Sequence, residues 1–257
     1  MQPLSETFLA LLLAHLLGDF PLQPSSVSRD KGRRAWPLIW HGITHYFLAC
    51  ASLFVFAQLP LQSFFAQSII LTSVLIHLAI DKLKHVLIRR RILLDSSKTF
   101  LLDQVFHVIV LTFAALILTG SSLAEFLRAF QISPSGKSRI LATAIVYVAV
   151  IFGGGYLIRY LTRNWARDAG TETPAQLRNA GLYVGWIERF LVITAIAMQS
   201  PALVGLILTG KSIARFPEFK EARFAEYFLI GTLLSVSLSV IGGIILLEVF
   251  YGTATLK

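Results

Sequence analysis

The chain has 257 residues, of which 55% are hydrophobic and only 14% are charged, and its formal net charge is +9 at pH 7. Soluble domains carry roughly 25% charged residues, so the composition excludes a water-soluble globule of this size. The basic residues stand in short stretches between apolar runs. That placement is typical of cytoplasmic loops in a membrane protein and speaks against a nucleic-acid interface.

Eight apolar segments follow one another along the chain. They cover residues 5–22, 37–59, 64–88, 100–119, 139–161, 181–198, 202–214 and 224–251. A helix needs about 20 apolar residues to cross a bilayer, so we predict an all-α polytopic transmembrane bundle with seven or eight membrane segments. The sixth and seventh segments are short and meet at Pro201, which lacks the N–H that a helix interior needs. We expect a helical hairpin, a kinked single span or a re-entrant element there.

Most basic residues lie after the first, third, fifth and seventh segments, including Arg29–Arg34 and Arg89–Arg91. The positive-inside rule then places these loops in the cytoplasm and the N-terminus outside. We predict a multi-pass protein of the bacterial inner membrane. Its first segment is interpreted as a membrane helix and not as a signal peptide, because no Lys or Arg precedes the apolar run. Residues 1–120 form a metal-site half and residues 121–257 a scaffold half in this interpretation.

Four pairs of metal-ligating residue types distinguish the first half. Each of the first four segments carries one pair at i, i+4 spacing, which places both side chains on the same helix face. The pairs are His15 with Asp19, His41 with His45, His77 with Asp81, and Asp103 with His107. They stand near the C-terminal ends of segments one and three and near the N-terminal ends of segments two and four. Because helix direction alternates, all four pairs are expected at one level, near the cytoplasmic face.

Imidazole and carboxylate together suit a divalent metal, and we predict zinc or manganese, as one or two ions. Packing is the simpler explanation for any single pair, since a buried histidine often makes only a hydrogen bond. Four coincident pairs are harder to explain in this way, because polar groups at membrane depth are costly. Eight candidates exceed the four ligands of one tetrahedral ion. Either two ions share carboxylates, or some residues orient the ligands.

Seven residues receive further predicted roles. Asp19, Asp81 and Asp103 are candidate catalytic residues, because a carboxylate that is not fully engaged by metal can act as a general base. Candidate substrate-binding residues are Gln23, Lys31, Lys84 and Gln104. Lys84 is three residues from Asp81 and is the best candidate to face an anionic group. The two glutamines are equally explained by interhelical packing.

The sequence of the site resembles a known family. His15-Leu16-Leu17-Gly18-Asp19-Phe20 with Gln23, the His41 and His77 pairs with Lys84, and Phe100-Leu101-Leu102-Asp103-Gln104 with His107 resemble the domain-of-unknown-function family DUF3307. Gly185-Trp186-Ile187-Glu188-Arg189, Ala214-Arg215-Phe216 and Ala225-Glu226-Tyr227 resemble longer members of that family. The resemblance implies membership and no activity. A looser similarity to inner-membrane proteins described as predicted metal-dependent hydrolases implies hydrolysis.

Three functions are therefore compared. The first is a metal-dependent hydrolase acting on a lipid or an amphipathic, phosphate-containing anion at the cytoplasmic leaflet. The second is a divalent metal-ion transporter or sensor, because His-x-x-x-Asp resembles the motif of cation-diffusion zinc transporters. The expected one-sided position of the site speaks against transport, since transport sites usually lie near mid-membrane. The third is a membrane subunit that recruits a soluble partner and uses the metal only structurally.

Overall fold

The computed structural model describes residues 4–23, 35–59, 62–130, 136–168 and 180–252, and every regular element in these ranges is helical. The predicted all-α fold is confirmed for this part of the chain. In chain order the α-helices are α1 Leu4–Asp19, α2 Ala35–Ser52, α3 Phe64–Arg89, α4 Ser97–Thr119, α5 Leu123–Ala129, α6 Gly136–Val148, α7 Gly154–Asp168, α8 Ala180–Ala197, α9 Ala202–Arg215 and α10 Ala222–Tyr251. One π-helical turn, Leu53–Ala57, extends α2, and another, Ala149–Gly153, joins α6 to α7. A 3₁₀ turn, Phe216–Lys220, precedes α10.

Five helical stretches in the described residues are long and apolar enough to cross a membrane. They are Ala35–Ala57, Phe64–Arg89, Ser97–Thr119, Gly136–Arg163 and Ala222–Tyr251. The predicted multi-pass character is supported, whereas the predicted count of seven or eight spans is not confirmed. Helices α1 and α9 have 16 and 14 residues. At 1.5 Å per residue they measure about 24 and 21 Å, less than the roughly 30 Å of a hydrocarbon core.

In α4 polar side chains are buried and apolar side chains are exposed, the reverse of a helix in a soluble protein. Asp103 and His107 are buried, while the large apolar side chains beside them, including Val105, Phe106 and Phe113, are more than half exposed. A contiguous apolar outer surface around a polar interior is costly in water and favourable against lipid. The exposed faces are therefore suited to acyl chains.

Packing divides the chain into two compact units, Met1–Ile145 and Val146–Lys257. This division falls inside α6, whereas the sequence suggested one after residue 120. The short helix α5 packs with the first unit, because Phe126 and Phe130 both make edge-to-face contacts with Phe8 of α1, at ring-centroid distances of 5.0 and 5.8 Å. Such aromatic pairs add to simple area burial.

The first unit is a four-helix ring. Helix α1 contacts α2 and α4, and α3 contacts the same two helices, so that four helices surround one interior. Helix α1 is the most enclosed of the four, and most of its side chains are buried. Because successive helices run in opposite directions, the ends that carry the His/Asp pairs come to the same end of the ring.

The second unit is built around α10, which contacts α7 and α8. Its core contains Val146, Ile151, Ile193 and Leu246. Helices α8 and α9 form a hairpin, since Gln199 has a left-handed φ of 57° at the turn and Pro201 caps α9. A salt bridge of 2.6 Å between Lys211 Nζ and Glu188 Oε2 joins the two helices far from that turn. This antiparallel packing contradicts the kinked single span and agrees with the two predicted alternatives in which the chain reverses direction at Pro201.

Candidate metal centre

The four His/Asp pairs meet inside the ring of the first unit. All eight side chains are buried, and their exposed fractions range from 1% for Asp81 and His107 to 8% for Asp19. The histidine rings form a continuous cluster: His77 lies 4.1 Å from His45 and 4.3 Å from His107 between ring centroids, and His15 stacks on His107 at 4.9 Å. The structure thus brings together every residue that the spacing argument selected, while their roles as ligands stay a prediction.

One group of donor atoms converges on Asp19, and we call Asp19, His41, His45 and His77 the four-ligand group. Asp19 Oδ1 lies 3.2 Å from the Nε2 atoms of both His41 and His45, and 3.6 Å from His77 Nε2. His41 Nε2 and His77 Nε2 are 3.0 Å apart. The donor atoms of the whole group lie within 4.8 Å of one another.

These spacings fit a metal ion better than a hydrogen-bond network. In a tetrahedral zinc site with bonds of about 2.0–2.1 Å, neighbouring donor atoms are about 3.3 Å apart. A neutral imidazole has one N–H, whereas His41 Nε2 faces both Asp19 Oδ1 at 3.2 Å and His77 Nε2 at 3.0 Å, so the available protons cannot satisfy all of these contacts. Although Asp19 Oδ1 and His45 Nε2 lie 3.2 Å apart, neither atom makes a hydrogen bond in the described residues, and both are buried. Buried polar atoms are rarely left so, and a divalent cation would satisfy both.

A second group adjoins the first. It consists of Asp81, Asp103 and His107, whose donor atoms also lie within 4.8 Å of one another. Asp81 connects the two groups: its Oδ2 lies 3.3 Å from His41 Nε2, and its Oδ1 lies 3.5 Å from Lys84 Nζ. The same ammonium lies 2.6 Å from Asp103 Oδ2. The structure therefore places Lys84, a predicted substrate-binding residue, against two site carboxylates.

Neighbouring groups orient the donors. Gln23 Nε2 lies 3.2 Å from His41 Nδ1 and 3.4 Å from His41 Nε2, the nitrogen that faces Asp19, so the amide contacts both ring nitrogens and is nearer to the outer one. Gln104 Nε2 donates to Asp103 Oδ2 at 3.3 Å. His107 Nδ1 lies 2.7 Å from the Asp103 carbonyl oxygen, and a proton on Nδ1 leaves Nε2 as an acceptor. Both glutamines thus contact the predicted ligands. Lys31, the remaining predicted substrate-binding residue, lies outside the described residues.

Sequence reasoning missed the role of Gly18. A Cβ atom added there would lie 2.6 Å from two atoms of the His45 ring, a distance that no side chain tolerates. The absence of a side chain on α1 therefore lets the imidazole of α2 reach Asp19. A glycine directly before a candidate ligand within an apolar helix was the available signal, because glycine there costs helix stability relative to alanine.

A small cavity lies against the histidine cluster on its apolar side. Its volume is about 30 Å³, and its lining includes His15, His45, His77 and His107 together with Leu11 and Val110. This is room for about one water molecule. In the described residues, His15 Nε2 and His107 Nε2 are buried without a hydrogen-bond partner. His107 Nε2 is an acceptor because Nδ1 faces the Asp103 carbonyl, and His15 Nε2 is an acceptor in its Nδ1–H tautomer.

The comparisons with known proteins concern the first unit. Residues 7–132 match the family model DUF3307, described as a protein of unknown function. That range contains all four pairs, together with Gln23, Lys31, Lys84 and Gln104. No curated protein and no solved structure matched the chain.

Proposed function

We propose that this protein is a metal-dependent hydrolase of the bacterial inner membrane. The observation that carries the proposal is the four-ligand group with proton acceptors and a water-sized cavity beside it. A mixed set of histidine and carboxylate donors suits zinc or manganese. A purely structural site would need the four donors alone, whereas this one also has Asp103, His15 and His107 buried within the same cluster.

Each group of site residues has a proposed role. Asp19, His41, His45 and His77 would hold the ion, with Asp81 beside them. When bound, a divalent ion lowers the pKa of water to about 7 and polarises a phosphoryl or acyl oxygen. His15 Nε2 and His107 Nε2 can each accept a proton from water in the adjoining cavity. Asp103 Oδ1, also buried without a partner in the described residues, is a further candidate base.

The substrate class follows from the charge at the same end of the ring. Arg89, Arg90 and Arg91 are exposed at the end of α3. Arg89 is eight residues beyond Asp81, which is about 12 Å along a helix. Basic side chains at this depth attract anionic head groups of the inner leaflet. We therefore propose a lipid or an amphipathic anion that contains phosphate, approaching from the cytoplasmic side.

The test is hydrolysis by purified protein loaded with zinc or manganese. Vesicles of an anionic phospholipid serve as substrate, and released phosphate or fatty acid is measured. Activity should vanish with a chelator and fall by about 100-fold in His77→Ala and Asp81→Ala, because each change removes a donor at the ion and loss even of a group that orients a ligand costs about 10- to 100-fold. His85→Ala is the matched control, because His85 lies on the same helix and is only half-buried. No product from metal-loaded protein would contradict the hydrolase proposal.

One observation favours a transporter or a sensor as the second candidate. The four-ligand group already supplies four protein donors, whereas catalytic zinc sites usually keep one position open. Transport predicts that proteoliposomes take up metal without forming product, and that His45→Ala reduces this flux. Metal binding with neither flux nor product would favour the partner-recruiting membrane subunit.

A further inference from the structure

Lys84 is a cation that lies against both carboxylates of the second buried group. It approaches them from the end of the ring, and 19% of its side chain is exposed. Its amine lies 2.6 Å from Asp103 Oδ2 and 3.5 Å from Asp81 Oδ1. Those two carboxylates, with His107, form a group of metal-ligating type. The ammonium therefore stands where a cation shared by Asp81 and Asp103 would stand.

Asp81 has the geometry of a bridging carboxylate. Its Oδ2 faces the four-ligand group, 3.3 Å from His41 Nε2 and 3.6 Å from His77 Nε2, and its Oδ1 faces Lys84. In two-metal sites the ions lie about 3.5–4 Å apart and are joined by such shared ligands. This site has the same arrangement, with an ammonium in the place of the second ion.

We propose that the site holds one divalent ion and that the Lys84 ammonium occupies the second cation position between Asp81 and Asp103. The inference rests on the proposed metal site and specifies its ion count, for which the sequence left one or two ions open.

Charge among the described residues supports this assignment. Asp19, Asp81 and Asp103 together carry three negative charges when ionised. One divalent ion and the Lys84 ammonium carry three positive charges, with the histidines neutral. An unbalanced charge is costly in a buried, lipid-surrounded site. A second divalent ion beside Lys84 would leave the site with an excess of positive charge.

Two further buried atoms are available as donors for a metal at the second position once the ammonium is gone. Asp103 Oδ1 and His107 Nε2 have no hydrogen-bond partner in the described residues, and their side chains are only 3% and 1% exposed. Removal of the ammonium takes away a cation that Asp81 and Asp103 share, so a second divalent ion should enter.

Metal stoichiometry tests the proposal in full-length protein purified in detergent. Elemental analysis after loading with Mn²⁺ should give about one ion per chain in the wild type and in Lys84→Arg, which keeps a cation. Lys84→Met keeps the length of the side chain without the charge and should bind about two. The double variant Lys84→Met/Asp103→Asn should return to about one. Electron paramagnetic resonance of Lys84→Met should show coupled Mn²⁺ ions at about 3.5–4 Å.

Two ions in the wild type, or one ion in a folded Lys84→Met, would overturn the inference. If Lys84→Met does not fold, titration of the wild type decides: saturation at one ion supports the inference, and a second site in the presence of Lys84 refutes it. Wild-type protein without any bound metal would contradict the metal site and this inference with it. One bound ion without hydrolysis would refute only the proposed activity.

Discussion

Single residues around the ligands decide whether the donors can meet. Gly18 makes room for the His45 ring, and Gln23 lies within hydrogen-bond distance of the outer nitrogen of His41. A histidine ligand whose second nitrogen is held keeps its tautomer and its ring orientation. Gln23 is therefore a positioning residue, since it contacts the imidazole and not the proposed ion.

We expect Gln23→Leu to weaken metal binding by about 10- to 100-fold, the usual effect of losing a partner that orients a histidine ligand. Competition with a fluorescent zinc chelator would measure the affinity. Gln104→Leu is the matched control, because Gln104 donates to Asp103 in the second group, and the metal affinity of this variant should change less. Equal losses in both variants would indicate that Gln23 does not act through His41.

At the scale of elements, the π-helical turns create backbone groups that need partners. In the turn Ala149–Gly153 the Ile151 carbonyl accepts bonds from Arg189 Nε at 3.0 Å and Nη2 at 2.7 Å. Arg189 is only 4% exposed, and Gly155 and Gly185 leave space for its guanidinium, since a Cβ atom there would come within 2.8 and 3.2 Å of it. Arg189 therefore supplies the hydrogen bonds that the carbonyl of this π-helical turn needs inside an apolar unit.

Arg189→Met should lower the stability of the second unit by about 1–3 kcal/mol, the cost of leaving a buried acceptor unsatisfied. Ser235→Ala, which removes only the 3.4 Å contact with Nη1, should cost less. Thermal unfolding in detergent measures both variants, and the metal content should stay unchanged. A more stable Arg189→Met would show that burying the guanidinium costs more than its hydrogen bonds return.

At the scale of the whole molecule, membrane orientation follows from the distribution of charge. The C-terminal end of α3 carries Arg89, and Arg90 and Arg91 follow it directly. The turn before α3 includes the uncharged Gln62. The positive-inside rule predicts that the Arg89 end lies in the cytoplasm. We therefore expect the candidate metal centre close to the cytoplasmic face, as the proposed substrate requires.

Cysteine labelling tests this orientation. In a Cys50→Ala background, which removes the only cysteine of the chain, we place a cysteine at Asp95 or at Gln62, both exposed. A membrane-impermeant maleimide should label Gln62→Cys from outside intact cells and Asp95→Cys only after permeabilisation. The reverse pattern would contradict the orientation and remove the argument for an inner-leaflet substrate.

The sequence by itself determined the class of fold and the composition of the site. A single apolar segment in a bilayer adopts an α-helix, because a helix satisfies all of its own backbone hydrogen bonds. The i, i+4 spacing of His77 and Asp81 fixed a shared helix face before any packing was known. Alternating helix direction then brought the four pairs to one level.

Only the tertiary structure decided which atoms face one another. The convergence of three imidazoles on Asp19 Oδ1, and the contact between Lys84 and Asp103 across two helices, depend on helix rotation and side-chain rotamers, which local periodicity does not specify. The hairpin at Pro201 needed the Lys211–Glu188 pair to separate it from a kinked span. The partner of Arg189 is the Ile151 carbonyl in a π-helical turn. A π-turn adds one residue to a helical turn, and an apolar sequence gives little sign of it, so this contact was not predicted.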